Sequence, residues 1–315
     1  MIARAIRAAL VLAFTGGAAL ALAADREHTL ESGGATRHYR VHVPDSTGSR
    51  TLPVVVMLHG GGGTGKAAAW ETGWNDKADR ERFLAVYPDA LAPDRRRESH
   101  FSRNPQLWND GSERFYPGQA APDDVAFLDT LLDDLAARYA VDSRRVYVAG
   151  FSNGASMSFL WGARSAKRIA AIAPVAGAAW QEPGTLERPV PMLYITGDAD
   201  PLNLIGGGVP RLASGQSDKV RAKPKPPVRE TIAKWVRANG CESAARRVSE
   251  ANGIRTESWG PCREGSEVAF VKVAGLGHTW AGGRSLLPES MVGKRTDRLL
   301  ATDVIWEFFS RHALK

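Results

Sequence analysis

The sequence predicts an α/β domain: a mostly parallel sheet with helices on both faces. Three observations carry that expectation. Short apolar runs such as Leu52–Leu58 (LPVVVML) are continuous rather than alternating, which suits a strand covered on both faces. Segments with apolar residues at helical spacing fall between those runs. No repeat or linker divides the 315 residues, a length at which one sizeable domain can bury its core. The composition, 43% hydrophobic and 24% charged, excludes a disordered or fibrous chain.

Residues 1–23 lie outside that fold. Arg4 and Arg7 precede an apolar stretch, Ala8 to Leu22, and Ala21-Leu22-Ala23 fits a cleavage site before Ala24. This is the pattern of a secretory signal peptide. The stretch is about 15 residues, short for a membrane span, and no Cys follows it to carry a lipid. The expected organisation is therefore a leader over 1–23 and a single domain over 24–315, secreted or periplasmic, with no stable membrane anchor.

The elements follow in order. Arg37 to Val43 alternates and reads as an edge strand; Leu52 to Leu58 and Phe83 to Tyr87 read as buried strands. Val125, Leu128, Leu131, Leu132 and Leu135 keep helical spacing behind Asp123 or Asp124, either of which can cap the helix. Arg145 to Ala149, Ile169 to Val175, Pro191 to Thr196 and Val268 to Val273 are further strands, and Asp297 to His312 a last helix. Residues 91–122 and 201–228, rich in Pro, Gly and charge, read as long loops of the kind that carry lids or binding surfaces.

Loss of the leader takes the formal net charge from +7 to +5. The basic clusters, Arg95-Arg96-Arg97 and Arg221 to Arg229, lie in polar or proline-rich loops without interleaved aromatics, so no nucleic-acid partner is expected. Cys241 and Cys262 are the only cysteines. In an oxidising compartment they are expected to pair, a closure that contributes about 3 kcal/mol. No Cys and His spacing suits a metal, and neither metal nor cofactor is expected.

Chemistry enters at Gly150-Phe151-Ser152-Asn153-Gly154, which follows a strand and opens a helix over Asn153 to Ala163. In that setting Gly-x-Ser-x-Gly places a nucleophilic Ser at the apex of a strained turn. A Ser hydroxyl needs a base, and the base needs an orienting carboxylate. His278, in a Gly-flanked loop after a late strand, is the candidate base. Asp200 and Asp198 both follow the strand ending at Thr196, and the local sequence does not separate them. The order Ser152, Asp200, His278 is that of α/β-hydrolases. His59-Gly60-Gly61-Gly62-Gly63 ends a buried strand and can turn backbone N–H groups into the site, with Gly61 and Asn153 as the expected oxyanion donors and His59 as a brace. A phosphate-binding loop would require Ser or Thr after Gly65-Lys66, where Ala67 stands.

These motifs, with Gly197-Asp-Ala-Asp200-Pro and Gly277-His278-Thr-Trp280-Ala-Gly-Gly, resemble the secreted polyhydroxybutyrate depolymerase and feruloyl esterase-like family over about residues 35–312. The resemblance implies an α/β-hydrolase fold, serine esterase chemistry with Ser152 as nucleophile and His278 as base, and Asp200 rather than Asp198 as acid. The Cys241–Cys262 pair looks like that family's disulfide. Ala281 departs from a common Pro, and no appended polymer-binding domain is expected beside the single domain over 24–315.

The expected substrate is a short polyester oligomer or aryl ester, with a feruloyl or acetylxylan ester as the alternative. A catalytically dead secreted binding protein is the reading from another class, disfavoured because each catalytic position is filled. Trp280 and Trp108 are the expected substrate-binding aromatics, with Phe115, Tyr116 and Trp180 as further candidates.

Overall fold

The computed structural model describes residues 24–45, 50–114, 121–210 and 223–315. The proposed leader and the aromatics Phe115 and Tyr116 lie outside the described residues, as do parts of both long loops.

Six strands form the parallel centre: β3 (Leu52–Leu58), β4 (Leu84–Pro88), β5 (Val141–Phe151), β6 (Ala171–Val175), β7 (Met192–Gly197) and β10 (Val268–Val273). An antiparallel hairpin extends each side, β1 (Ala24–Ser32) with β2 (Ala35–Val43), and β8 (Arg247–Ala251) with β9 (Ile254–Trp259). The spatial order is β1-β2-β4-β3-β5-β6-β7-β10-β9-β8. Every residue of β3, β4, β6 and β7 is buried, as their continuous apolar runs predict.

The strand period of two splits these residues between two cores. On one face Val54, Val56 and Leu58 pack with α3 (Asp124–Arg138), α4 (Asn153–Arg164) and α5 (Val228–Ala238). On the other, Val55 and Met57 pack with α1 (Gly65–Thr72), α2 (Trp74–Glu81) and α7 (Ala301–Ser310). A single turn, α6 (Glu289–Val292), lies in the loop between β10 and α7. The predicted layered α/β fold is what the chain adopts.

Several details differ from expectation. Arg37 to Val43 is not an edge: β1 pairs along its whole length, and β2 sits between β1 and β4. β1 (ADREHTLES) escapes notice because its exposed face removes the apolar signal. The last helix opens at Ala301, so residues 297–300 belong to the preceding loop. Of the two candidate caps of α3, Asp123 accepts the N–H of Ala126 at 2.9 Å. Asp124 instead forms a buried ion pair with Arg37 at 2.7 Å and accepts the N–H of Asn109. Cys241 and Cys262 pair as expected, tying the end of α5 to the turn after β9.

Candidate active site

The site stands where β5 gives way to α4. Ser152 sits at φ 55°, ψ −115°, a strained conformation for a non-glycine residue. Its N–H bonds to the carbonyl of Val175 on β6 at 2.9 Å, which pins the turn against the sheet. The flanking glycines are dictated by close approach. A Cβ on Gly150 would fall 2.2 Å from the carbonyl oxygen of Gly154, and one on Gly154 the same distance from that of Leu58 on β3.

Two loops bring polar groups to this turn. Asp200 follows β7, and its Oδ1 accepts the N–H groups of Leu202 and Asn203, each at 2.7 Å. Its Oδ2 lies 2.8 Å from His278 Nδ1, and His278 Nε2 lies 2.8 Å from Ser152 Oγ. The side chains of His278 and Asp200 are 5% and 0% exposed, so the row is closed to solvent on the acid side. Burial opposes ionisation of Asp200, but the adjacent imidazole and the two N–H donors outweigh it and hold the carboxyl below its ordinary range. An Nδ1–H donated to that carboxylate leaves Nε2 as the acceptor facing the Ser hydroxyl. Asp198, its rival in sequence, points elsewhere and accepts the N–H of Gly275 at 2.7 Å.

The glycine loop after β3 lies opposite. The N–H groups of Gly62 and Gly63 are used by Gln106 O and Gly60 O, while that of Gly61 meets no acceptor among the described residues. A Cβ on Gly61 would stand 3.6 Å from that of Asn153, so the glycine loop passes close to the first residue of α4. His59 braces the loop from behind: its Nδ1–H donates to Gly60 O at 2.8 Å, and its Nε2 accepts from the N–H of Ala90 at 3.0 Å. Burial pushes its imidazole below the ordinary range, consistent with a neutral strut.

The two tryptophans part company. Trp280 lines a narrow cavity of about 40 Å³ beside His278, together with Phe151, Met57 and Leu287. Its indole N–H donates to Thr302 Oγ1 at 3.0 Å. Glu71 lines the same cavity, and burial raises its carboxyl above the ordinary range. Trp108 is fully buried and offers a substrate no surface, which corrects the expectation of a binding role. Its indole N–H donates to the carbonyl of His59 at 3.0 Å, and its backbone N–H and C=O are both held by the Asn153 amide.

The sequence reading missed the charged groups beyond Asn153. Asp110 Oδ2 accepts from Asn153 Nδ2 at 2.9 Å, with Arg114 3.6 Å away, and Lys225 Nζ approaches Asn203 Oδ1 at 3.4 Å. These residues converge only in the folded chain, and no spacing in the sequence announces them. Among the described residues no group of three or more His, Cys, Asp or Glu is disposed to hold a metal ion.

A parallel sheet of this order, flanked by helices and carrying a strained Ser between strand and helix, defines an α/β-hydrolase. The model of the family described as esterase PHB depolymerase matches residues 37–216, more than half of the chain. The chain belongs to that family and is a carboxylic ester hydrolase. It is 32% identical over 289 residues to NocK of Nocardia uniformis subsp. tsuyamanensis, covering 85% of this chain and 77% of that one. It is 27% identical over 250 residues to feruloyl esterase B of Piromyces equi, covering 76% of this chain but 41% of the fungal protein. Among solved structures, the acetyl xylan esterase from Aspergillus awamori shares the fold with a TM-score of 0.58 and 16% identity, over 90% of this chain and 99% of that one.

Proposed function

We propose that the protein hydrolyses short polyester oligomers or aryl esters by acyl transfer through Ser152. The observation that carries this is the unbroken row Ser152 Oγ, His278 and Asp200, with both contacts at 2.8 Å. As Ser152 Oγ bonds to the ester carbon, its proton passes to His278 Nε2. Asp200 orients the ring and stabilises the imidazolium. The N–H groups of Gly61 and Asn153 receive the oxyanion. Collapse breaks the carbon–oxygen bond to the alcohol, which leaves with the proton from Nε2. Water then gives a proton to Nε2 and adds to the acyl carbon. The second collapse releases the acid and returns the proton to Ser152 Oγ.

Ser152→Ala should cut turnover of para-nitrophenyl acetate by at least about 10⁴-fold, with the melting temperature retained. A folded Ser152→Ala variant at full activity would overturn the mechanism. A feruloyl or acetyl ester on polysaccharide is the second reading, favoured by the identity to feruloyl esterase B. Initial rates on hydroxybutyrate oligomers, methyl ferulate and acetylated xylan separate the two. Residues 1–23 act as a leader removed on export, leaving 24–315 as one catalytic domain. In support, Arg4 and Arg7 precede the apolar stretch Ala8 to Leu22, and Ala21-Leu22-Ala23 fits a cleavage site before Ala24.

A further inference from the structure

Two cations stand beside the catalytic row without a part in the chemistry. Arg114 is buried, its guanidinium 4.1 Å over the ring of Trp180 and 3.6 Å from Asp110 Oδ2. Asp110 in turn is held by Asn153, the residue after the nucleophile. Lys225 reaches the same region from the acid loop. Its backbone is fixed by a reciprocal pair of hydrogen bonds with Gly208, both 2.9 Å. Its ammonium faces Asn203 Oδ1, whose orientation is set because Nδ2 donates to Tyr194 Oη and Thr196 Oγ1. Asn203 N–H meanwhile holds Asp200. One cation is thus tied to the residue after Ser152, the other to the acid of His278.

The charges around Lys225 do not balance locally. Its partner among the described residues is a neutral amide oxygen at 3.4 Å, with no carboxylate in ion-pair range. The carboxylates that influence it, Asp200 and Asp110, are engaged by His278 and by Asn153 with Arg114. Burial first, then the charge of Arg114, pushes the ammonium down to about 8. A part-buried ammonium whose partner is a neutral amide oxygen is costly until an anion arrives.

We propose that Arg114 and Lys225 form a carboxylate-binding subsite beside the nucleophile, and that the ester bound there carries a free carboxylate, as the acid end of a short hydroxy-acid oligoester does. This rests on the short-oligoester reading and narrows it: methyl ferulate and acetylxylan offer no such group. A guanidinium and an ammonium converging on one carboxylate give charge-assisted hydrogen bonds, whose strength corresponds to about 10- to 100-fold in binding.

The test compares the hydroxybutyrate dimer as free acid with its methyl ester, on the full-length mature enzyme. The wild type should favour the free acid by about tenfold or more in kcat/KM, mostly through KM. Raising ionic strength from about 0.05 to 0.5 M should shrink that preference. Lys225→Met should bring the ratio close to one, and Lys225→Arg should restore most of it. Equal kcat/KM on the two dimers in the wild type, or an undiminished preference in a folded Lys225→Met variant, overturns the subsite while leaving the esterase intact. Hydrolysis of para-nitrophenyl acetate but of neither dimer sinks the oligoester reading and the subsite with it. The wild-type ratio and its salt dependence decide the matter even if the variants do not fold.

Discussion

Asn153 does two jobs with different atoms. Its backbone N–H opens α4 and is a proposed oxyanion donor, a role any residue except proline could fill. Its side chain is specific: Oδ1 accepts the N–H of Trp108 at 2.8 Å, and Nδ2 donates to Trp108 O and Asp110 Oδ2. Trp108 then reaches the carbonyl of His59 at the root of the glycine loop. One amide therefore ties both proposed oxyanion donors to a common strut. Asn153→Ala keeps the N–H and deletes the strut, leaving buried partners unsatisfied at about 1–3 kcal/mol. We expect a lower melting temperature and a kcat on para-nitrophenyl acetate reduced by about 10- to 100-fold, with KM changing less. A lowered melting temperature with unchanged kcat would show that the strut supports the fold alone.

At the scale of elements, the hairpin β8–β9 is fastened to α5 by one carboxylate. Glu257 on β9 accepts both Arg229 NH1 and NH2 at 2.6 Å, and Arg255 Nε at 2.9 Å. The Arg229 bonds, opposed by burial and reinforced by Arg255, push its carboxyl from 4.5 down to about 2. A depressed carboxyl contributes stability that is full above the unfolded-state value and is lost as pH falls toward the folded one. The loss therefore falls between pH 4.5 and about 2, and amounts to at most about 3 kcal/mol, less because Arg229 is half-exposed. Melting curves over that range should show Glu257→Gln losing less stability than the wild type; parallel losses would remove the network as the cause. The same hairpin shows where sequence legibility ends. The central strands were readable because both their faces are buried. β1 and β8 are polar, and only their turns betray them: Gly33-Gly34 and Asn252-Gly253 all take positive φ, the requirement of a two-residue hairpin. α5 carries Val228, Ile232 and Trp235 at helical spacing, but it begins where the proline-rich loop ends. In the site, the Ser turn and the His loop were legible because glycines mark them. The choice between Asp198 and Asp200 was not, since two carboxylates two residues apart differ only in where the folded turn points them.

For the whole molecule, Cys241 and Cys262 join the end of α5 to the turn after β9, just ahead of β10 and the His278 loop. The ring spans a sequence separation of 21, so its loss should cost about 3 kcal/mol through the unfolded chain. Such a bond forms and persists only in an oxidising compartment, which couples it to the proposed removal of residues 1–23. Protein exported by its own leader should carry the intact mass of a chain starting at Ala24 with the disulfide closed. Cytoplasmic protein made without the leader should be reduced and melt about 5–10 °C lower. Cys241→Ala with Cys262→Ala should reproduce that lower melting temperature in the exported protein, while the initial rate at low temperature stays near that of the wild type. The rate is expected to persist because neither sulfur touches the Ser152–His278–Asp200 row, and β10 is still held by β7 along Val268 to Val273. An unprocessed N-terminus would remove the leader from the account. Equal melting temperatures with and without the disulfide would mean that the packing of Trp259 and α5 holds this corner of the sheet unaided.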